Sequence, residues 1–310
     1  MRQPKSSLNK SEALVIVRED RDTVEVTGTD RQRWLNGLLT CSLERLGAEQ
    51  GAWGLLLSRQ GKIQSDVDIV PAGDSLLLGV AEGRGPRVHQ LLEGYLVMDD
   101  VDLYERSTQW AWITLHGPLA AEVASEASGG QAGTSAAIDW TGLGGAALVV
   151  ARDEVRRTLE SLTRIGRGAV RIGTELDWLR LRVERGLPAF GADYDDHDNP
   201  HDASLEQRAV SWTKGCYLGQ EVVCMQAMRG KVKRRIAPLV LDGEGTPRVG
   251  DELREDSGGE EVVGQVTSAA MSEALGRGVA LARLSVRHSE PGTLLRSDAY
   301  VATVVGLPSE

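Results

Sequence analysis

The chain has 310 residues, of which 41% are hydrophobic and 26% are charged. That composition is typical of a globular protein and excludes a chain that is disordered throughout. The 35 basic and 45 acidic side chains give a formal net charge of −10, which argues against generic affinity for nucleic acid or anionic membranes. At roughly 100–200 residues per domain, the length indicates two or three domains.

Three cysteines, Cys41, Cys216 and Cys224, form no CxxC pair and no disulfide framework. We therefore expect a reducing, cytoplasmic compartment. The first residues lack the basic-then-apolar order of a signal peptide, and no apolar run reaches the roughly 18 residues that a membrane-spanning helix needs. Because no coiled-coil pattern or long apolar stripe occurs, a monomer is expected.

Apolar runs in the first part of the chain predict short strands. The predicted strands are 13–17, 23–27, 53–57, 65–70, 75–80 and 110–117. Residues 58–62 (SRQGK), between two of these runs, predict a hairpin turn. The stretch 125–147 is rich in Gly, Ala and Ser, and this composition predicts a loop.

Helices are predicted at 153–165 and 175–185, the second with Leu176, Leu179 and Val183 as its apolar stripe. After Arg235 the sequence changes to short apolar runs separated by Gly and Pro. This spacing predicts a small β-barrel of about 75 residues and a domain boundary near residue 235.

The segment KGCYLGQE, residues 214–221, carries the most distinctive chemistry. Its two glycines allow tight turns on both sides of Cys216, and Lys214 stands two positions before that thiol. A thiol beside fixed positive charge is a candidate reactive thiolate. From the residues alone, a buried cysteine that acts as a small apolar side chain is the favoured alternative.

KGCYLGQE resembles the signature K-G-C-[FY]-x-G-Q-E of the YgfZ family of folate-binding proteins, which are relatives of the glycine-cleavage T-protein. The similarity also includes 26–40, 179–195 and 264–284. It implies an α+β, T-protein-like folate-binding fold, with three lobes around a central pocket and a C-terminal β-barrel. The implied lobes are 1–50 with 111–235, an inserted α+β lobe at 51–110, and the barrel at 236–310.

The resemblance implies that tetrahydrofolate, or a reduced one-carbon derivative, is the cofactor. Asp66 lies in a segment similar to the T-protein strand whose Asp is catalytic near N5 of the folate, so Asp66 and Cys216 are the implied catalytic residues. Asp202 stands where the family has a Glu that binds the pterin ring, and it is one methylene shorter. The other residues implied to contact the cofactor are Lys214, Tyr217, Gln220, Glu221 and Arg229. Met225 replaces an Arg that is usual in the family.

Three of these features have simpler interpretations. Asp66 alone could be a surface residue of a half-buried strand, with Asp68 on the same face. The acidic stretch 193–202 contains two histidines, but its spacing fits no metal motif, and a solvated acidic loop is expected, with no metal. The basic run 228–235 predicts a solvated face or a site for an anion such as the glutamate tail of folate.

Three functional hypotheses follow from the resemblance. The first is a tetrahydrofolate-binding accessory protein that supports maturation or repair of iron–sulfur enzymes, with those client proteins as partners. The second is an enzyme, a folate-dependent aminomethyltransferase similar to the T-protein. The third is an accessory to tRNA modification that contacts RNA through 228–235, which the net charge and the lack of interleaved aromatic residues disfavour.

Overall fold

The chain divides into two compact units in a computed structural model that describes residue 8 and residues 12–128, 133–230, 232–243 and 245–307. The two-sheet unit consists of Lys10–Thr174 and Arg208–Gln220. The barrel unit consists of Met1–Asn9, Glu175–Gln207 and Glu221–Glu310. Among the described residues, no helix combines the length and the apolar character needed to cross a membrane.

The two-sheet unit alternates strands and helices along the chain. In order, its elements are β1 (Ala13–Arg18), β2 (Arg21–Thr27), α1 (Arg31–Asn36), β3 (Ala52–Leu57), β4 (Ile63–Ala72), β5 (Ser75–Ala81), α2 (Gly85–Glu93), β6 (Asp102–Glu105), β7 (Trp110–His116), α3 (Ala120–Ser128), β8 (Gly133–Ala137), β9 (Gly145–Ala151), α4 (Val155–Ile165) and β10 (Val170–Ile172). The strands form two five-stranded sheets, with the orders β10-β1-β7-β9-β8 and β3-β4-β5-β2-β6.

Each sheet of this unit buries one face against two helices. In the first sheet, Ile113 and Leu148 pack with Val123 of α3 and Leu162 of α4. In the second sheet, alternate apolar residues pack with α1 and α2 in the same way. Because strand side chains alternate between faces, the remaining face of each sheet is available for the other sheet.

The two sheets meet through polar as well as apolar side chains. The Nε1–H of Trp112 on β7 donates to Oγ1 of Thr23 on β2 at 2.9 Å. A Cβ added to Gly79 on β5 would lie 2.8 Å from the Trp112 ring, so only glycine lets the indole lie this close to the strand. This polar layer between the sheets holds Asp66, Asp68 and Arg21, which are described below.

The barrel unit consists of a closed six-stranded barrel and two helices. Its elements are α5 (Glu175–Glu184), α6 (Gln220–Arg229), β11 (Arg234–Asp242), β12 (Glu252–Glu255), β13 (Val262–Ser272), β14 (Arg277–Ser285), β15 (Leu294–Arg296) and β16 (Val301–Val304). Around the barrel the order is β11-β14-β13-β12-β15-β16. Alternate residues fill its interior, among them Leu239, Leu253 and Leu284. Val183 of α5 packs with Ile236 on β11.

The predicted α+β architecture with a C-terminal β-barrel is confirmed. The first barrel strand begins at Arg234, beside the predicted boundary. The turn at 58–62 joins β3 to β4, as its composition predicted. The finer division into lobes at 1–50 with 111–235, 51–110 and 236–310 stays a prediction.

The prediction that 125–147 is a loop is wrong. This stretch contains the end of α3, the whole of β8 and the start of β9. Its small residues serve close packing: a Cβ on Gly145 would lie 2.3 Å from the backbone oxygen of Ile138, and Ala127 is buried on the inner face of α3. A composition typical of loops can therefore also indicate tightly packed elements.

The predicted apolar stripe of the second helix is wrong at Leu176, which is 59% exposed. The buried part of α5 is its second half, where Leu181 and Val183 are both 1% exposed. Helical spacing places residues on a common face, but only the neighbouring strands β13 and β14 determine how far along the helix that face is covered.

Candidate functional site

The signature segment, residues 214–221, leads from irregular chain into the first turn of α6. Its second glycine, Gly219, has a φ of +79°, and a Cβ there would lie 2.6 Å from the backbone oxygen of Ser58. Both facts require glycine at this position. Ser58 belongs to the turn between β3 and β4, so the signature segment lies against the hairpin whose second strand carries Asp66.

Lys214 is buried, and its ammonium group binds the backbone. Nζ donates to the carbonyl oxygens of Asn36, Leu39 and Cys41 at 2.6, 2.8 and 2.6 Å. Burial lowers the pKa of this lysine from its usual value. An ammonium has three N–H donors, and all three are used here. The structure therefore shows that Lys214 orders residues 36–41, and the ligand contact that the resemblance implied for it stays a prediction.

A second set of contacts holds the chain just before the signature segment. Oγ1 of Thr40 donates to the backbone oxygen of Ala209, and the N–H of Ser211 donates to the backbone oxygen of Thr40 at 2.9 Å. A cavity of about 500 Å³ lies beside these contacts, lined by residues from 42–51 together with Thr213 and Lys214. These contacts therefore hold in place the part of the chain that precedes Cys216.

The three cysteines lie in different environments. Cys216 is exposed, Cys224 is half-buried and Cys41 is buried, and all three are free thiols. Burial raises the pKa of the Cys41 thiol to about 12. Exposure makes Cys216 accessible to a reagent, which contradicts the alternative that it is a buried apolar side chain.

Tyr217 is buried directly after the exposed cysteine. Its ring centre lies 5.7 Å from Nζ of Lys214, within the range of a cation–π contact. The N–H of Gln220 donates to the backbone oxygen of Tyr217 at 3.2 Å and closes the turn, and Glu221 is exposed in the first turn of α6. Tyr217 thus fixes the segment while Cys216 and Glu221 point to its surface.

Asp66 on β4 is buried, which contradicts the alternative of a surface residue. Nη2 of Arg21, on β2, donates to its Oδ2 at 2.7 Å. Its other oxygen, Oδ1, is buried and has no hydrogen-bond partner among the described residues. A carboxylate oxygen in this state is suited to accept an N–H from a ligand or to exchange a proton with a ligand nitrogen.

Asp68 shares the face of Asp66, as the strand period predicted, and is 1% exposed. Trp140 Nε1 donates to its Oδ1 at 2.7 Å, and Arg21 Nε lies 3.3 Å from its Oδ2. Burial is the main reason that the pKa of Asp68 is raised. The residue pattern alone did not indicate Arg21 or Trp140, although the two-residue period of a strand places Arg21 on the same face of β2 as Thr23.

The prediction of a solvated acidic loop at 193–202 is wrong for Asp193 and Asp198, which are buried. The Asp193 carboxylate, 1% exposed, binds Arg182 at 2.7 Å, and Asp198 forms two bonds to Arg283 at 2.6 and 2.7 Å. These carboxylates are buried because each has an arginine partner on another element. Among the described residues, no group of His, Cys, Asp and Glu is arranged to hold a metal.

Asp202 lies on the same loop and is half-buried. Asn199 donates from Nδ2 to Oδ2 of Asp202, and its own oxygen accepts the Asp202 N–H at 3.2 Å. The ring of His201 is hydrogen-bonded through Nε2 to the backbone oxygen of Val223 at 3.1 Å, which ties this loop to α6. Asp202 is therefore held by the barrel unit beside the helix that carries Glu221 and Arg229.

The basic run is exposed over most of its described length. Arg229, Lys233 and Arg234 are exposed, whereas Arg235 forms an ion pair with Glu206. Lys231 lies outside the described residues. Met225, in place of the usual arginine, is half-buried in α6. Arg229 and its neighbours are open to an anionic ligand.

Two family models match the chain. The GCVT N-terminal domain matches residues 18–143, and the glycine cleavage T-protein C-terminal barrel domain matches residues 234–308. The chain belongs to the YgfZ/GcvT-like superfamily. The second match covers the closed barrel found in the structure, and the first ends inside the two-sheet unit.

Curated relatives carry two different names. The chain is 26% identical over 305 residues to an aminomethyltransferase of Herpetosiphon aurantiacus, covering 91% of this chain and 82% of the relative. It is also 26% identical over 323 residues to the tRNA-modifying protein YgfZ of Cronobacter sakazakii, covering 99% of this chain and 96% of the relative. The identities are equal, so identity alone does not separate the two names.

Among solved structures, the glycine cleavage system aminomethyltransferase T from Bartonella henselae has the same fold. The TM-score is 0.80, the identity is 20%, and the match covers 96% of this chain and 86% of the other. At that identity the likeness extends to the fold alone. The T-protein-like fold that the signature implied is thereby confirmed.

Proposed function

We propose that this chain binds tetrahydrofolate, or a reduced one-carbon derivative, and acts as an accessory protein in the maturation or repair of iron–sulfur enzymes. The observation that carries the proposal is the unbroken KGCYLGQE segment, in which a buried lysine and a required glycine order an exposed thiol. A relative named tRNA-modifying protein YgfZ, which aligns with 99% of the chain, supports the family assignment on which the folate ligand rests.

In this proposal each implied contact residue binds one part of the ligand. Asp202 accepts the adjacent N–H and amino donors of the pterin, for which one carboxylate offers two oxygens. Arg229 binds a carboxylate of the glutamate tail. Tyr217, Gln220 and Glu221 complete the implied set of contacts, and Cys216 acts on the client protein at the surface.

The first experiment is a calorimetric titration of the purified protein with 5-formyltetrahydrofolate. Asp202→Ala is expected to weaken binding at least tenfold, because the pterin donors lose their charged acceptor. Asp256→Ala, an exposed carboxylate elsewhere in the barrel unit, is the matched control and should leave the affinity unchanged. Absence of binding by the wild type would refute the folate ligand and leave the fold.

The role of Cys216 is tested by growth complementation in a strain that lacks its own YgfZ. Wild type and Cys224→Ala are expected to restore growth, and Cys216→Ala is expected to fail. Equal rescue by Cys216→Ala would refute the role of the thiol. Under the accessory function, an effect on tRNA modification is expected to arise through a client enzyme, with no nucleic acid bound by this chain.

The alternative function is a folate-dependent aminomethyltransferase. The buried Asp66, one oxygen of which has no hydrogen-bond partner in the described part of the chain, favours it, and so do relatives with that name. It predicts turnover with an aminomethyl-loaded lipoyl carrier and at least a hundredfold loss of rate in Asp66→Asn. A wild type that binds folate without any turnover would exclude the transferase and retain the accessory function. The cytoplasmic location and the monomeric state stay predictions.

A further inference from the structure

The barrel unit carries a serine, a histidine and a glutamate that are hydrogen-bonded to one another in that order. Oγ of Ser285, at the end of β14, lies 3.0 Å from Nδ1 of His288. Nε2 of the same ring lies 2.6 Å from Oε1 of Glu255, at the end of β12. A hydroxyl nucleophile, a base and a carboxylate that orients the base form the arrangement of a hydrolytic triad.

The hydrogen bonds between these three side chains fix where the protons lie. The hydrogen bond from His288 is the main reason that the pKa of Glu255 is lowered, so Glu255 is a carboxylate at neutral pH. A carboxylate only accepts hydrogen bonds, so Nε2 of His288 carries a proton. In the neutral ring Nδ1 is then an acceptor, and the hydroxyl of Ser285 donates to it. The imidazole is therefore held in the tautomer that can take the proton of Ser285.

Further contacts hold the base and its carboxylate in place. Ser257 donates from Oγ to the other carboxylate oxygen of Glu255 at 3.2 Å. The N–H of Val286 donates to the backbone oxygen of Lys233 at 3.0 Å, which fixes the helical turn that carries His288 against the start of β11. The side chain of His288 is 19% exposed, so most of its surface is packed. Such support restricts the ring to one orientation, as catalysis requires.

An exposed arginine lies beside the serine on the outer surface of the barrel. Arg234 on β11 stands directly opposite Ser285 in the antiparallel pair of β11 and β14. The two side chains therefore share one face, with their Cβ atoms about 4.5–5.5 Å apart. Because Leu284 lies in the barrel interior, this face is the outer one. Ser285 is half-buried and Arg234 is exposed, so a molecule in solvent can reach the serine beside a fixed positive charge.

We propose that Ser285, His288 and Glu255 form a catalytic site that hydrolyses carboxylic esters, and that Arg234 selects esters that carry a negatively charged group. Ser285 is the nucleophile and His288 is the general base. Glu255 is a positioning residue that acts through His288. The site lies wholly in the barrel unit, and its activity goes beyond the proposed function because it does not depend on folate.

The reaction balances with water as the only co-reactant. Oγ of Ser285 attacks the carbonyl carbon of the ester while its proton passes to Nδ1 of His288. The bond from that carbon to the alcohol oxygen breaks, and the alcohol leaves with the proton from Nδ1. Water then attacks the acyl-serine with the help of the same base, which releases the carboxylic acid and returns a proton to Oγ. Nε2 donates to Glu255 throughout, so the carboxylate stabilises the transient imidazolium.

The test is hydrolysis of mono(4-nitrophenyl) glutarate, an activated ester with a free carboxylate, by the purified full chain. The wild type is expected to release 4-nitrophenolate in a burst, because an activated ester acylates a serine faster than water deacylates it. Ser285→Ala should lose the burst, and His288→Gln should lower the rate at least a hundredfold. Ser289→Ala is the matched control and should retain the full rate, since its hydroxyl only donates to a backbone oxygen of the same turn.

Two further variants test the positioning residue and the selection by charge. Glu255→Gln should lower kcat at least tenfold and leave KM unchanged, because an amide no longer fixes the tautomer of His288. Arg234→Met should lower the preference for the glutarate ester over the neutral 4-nitrophenyl acetate at least tenfold. An unchanged kcat in Glu255→Gln would refute the positioning role, and an unchanged preference in Arg234→Met would refute the selection of anionic esters.

Labelling of the wild type with a fluorophosphonate probe stays valid if a variant fails to fold. Mass spectrometry of the digested protein is expected to place the label on Ser285. Absence of the label from Ser285, or a burst in Ser285→Ala equal to that of the wild type, would overturn the proposal. Titration of the same samples with 5-formyltetrahydrofolate separates this proposal from the proposed function. Ester hydrolysis without folate binding would refute the folate ligand alone, and folate binding without ester hydrolysis would refute the esterase alone.

Discussion

Lys214 illustrates how a single residue can change its meaning between sequence and structure. In the sequence it is a cation two positions before a cysteine, and its charge predicts an effect on the thiol. In the structure its three donors bind three carbonyls of 36–41. Its contribution is therefore to order the chain that leads to the exposed thiol of Cys216.

Lys214→Met should lower the free energy of unfolding by about 2–3 kcal/mol, since charged hydrogen bonds are lost and buried carbonyls stay unpaired. Urea denaturation at neutral pH measures the change. Lys233→Met, at an exposed position, is the control and should change stability by less than about 0.5 kcal/mol. A loss equal to that of the control would contradict the structural role of Lys214.

His116 predicts a pH dependence of stability. Its pKa falls to about 3 in the folded chain, mainly through burial, whereas an unfolded histidine titrates near 6.5. Between these values the unfolded state binds more protons, so stability is lost as the pH falls from 6.5 towards 3. The slope attributable to His116 is about 1.4 kcal/mol for each pH unit.

Unfolding of wild type and His116→Gln at several pH values isolates this contribution. The difference between the two proteins should widen in favour of the variant as the pH falls below 6.5. Parallel curves for the two proteins would show that His116 does not titrate differently on unfolding. Because histidine is common in exposed positions, the sequence did not indicate that this one is buried beside Trp140, with the two ring centroids 5.4 Å apart.

At the scale of elements, the signature segment and the β3–β4 hairpin depend on each other. Gly219→Ala adds a Cβ that meets the Ser58 oxygen at 2.6 Å and also strains a residue with positive φ. Gly83→Ala imposes a similar φ, +72° against +79°, in open space. The comparison separates backbone strain from the loss of the hairpin contact.

Gly83→Ala is expected to cost about 1 kcal/mol of unfolding free energy, the usual cost of a left-handed alanine. Gly219→Ala should cost at least twice as much and should also fail in the complementation test. Thermal unfolding together with complementation checks both statements. If the two variants behave alike, contact with the hairpin does not hold the signature segment.

Within the barrel unit, Asp193 connects two elements, the helix α5 and the strand β13. Its carboxylate accepts from Arg182 on α5 and from Thr267 and Ser268 on β13, and all but Thr267 are buried. Arg182→Met should lower stability by about 3–5 kcal/mol, because it leaves a buried carboxylate without its cation. Urea denaturation followed by tryptophan fluorescence measures the loss.

Arg180→Met is the matched control for Arg182 on the same helix. Arg180 pairs with the exposed Glu273, and such a surface pair contributes little, about 0–1 kcal/mol. Similar losses in the two variants would contradict the inferred importance of burial. The sequence predicted the helix and the acidic loop separately, but it gave no indication that Arg182 joins them.

At the scale of the whole molecule, the charge of −10 opposes the exposed cations of 228–235. We expect no measurable binding of labelled tRNA at physiological salt, since the long-range field repels a polyanion. Fluorescence anisotropy at micromolar protein measures it. Binding that weakens steeply with salt and is lost in Arg234→Ala would support a direct RNA contact and refute this expectation.

The sequence by itself determined much of the architecture. Alternating and apolar runs predicted β1 to β5, β7 and the barrel, because the two-residue period of a strand is written directly in the chain. The eight-residue signature indicated the superfamily and singled out Cys216, and the similarity of a separate strand segment singled out Asp66. Small residues at 125–147 misled the prediction, since Gly and Ala occur both in loops and where backbones approach closely.

Only the tertiary structure decided which charges are paired and which are available. Arg21 and Asp66 are 45 residues apart in the sequence. The hydrogen bond between them joins two strands that do not follow one another along the chain. The sequence contains the donors and acceptors of Lys214, Asp193 and Asp66, but not the distances between them. Ion pairing and burial depend on those distances, so the roles of these side chains follow from the fold.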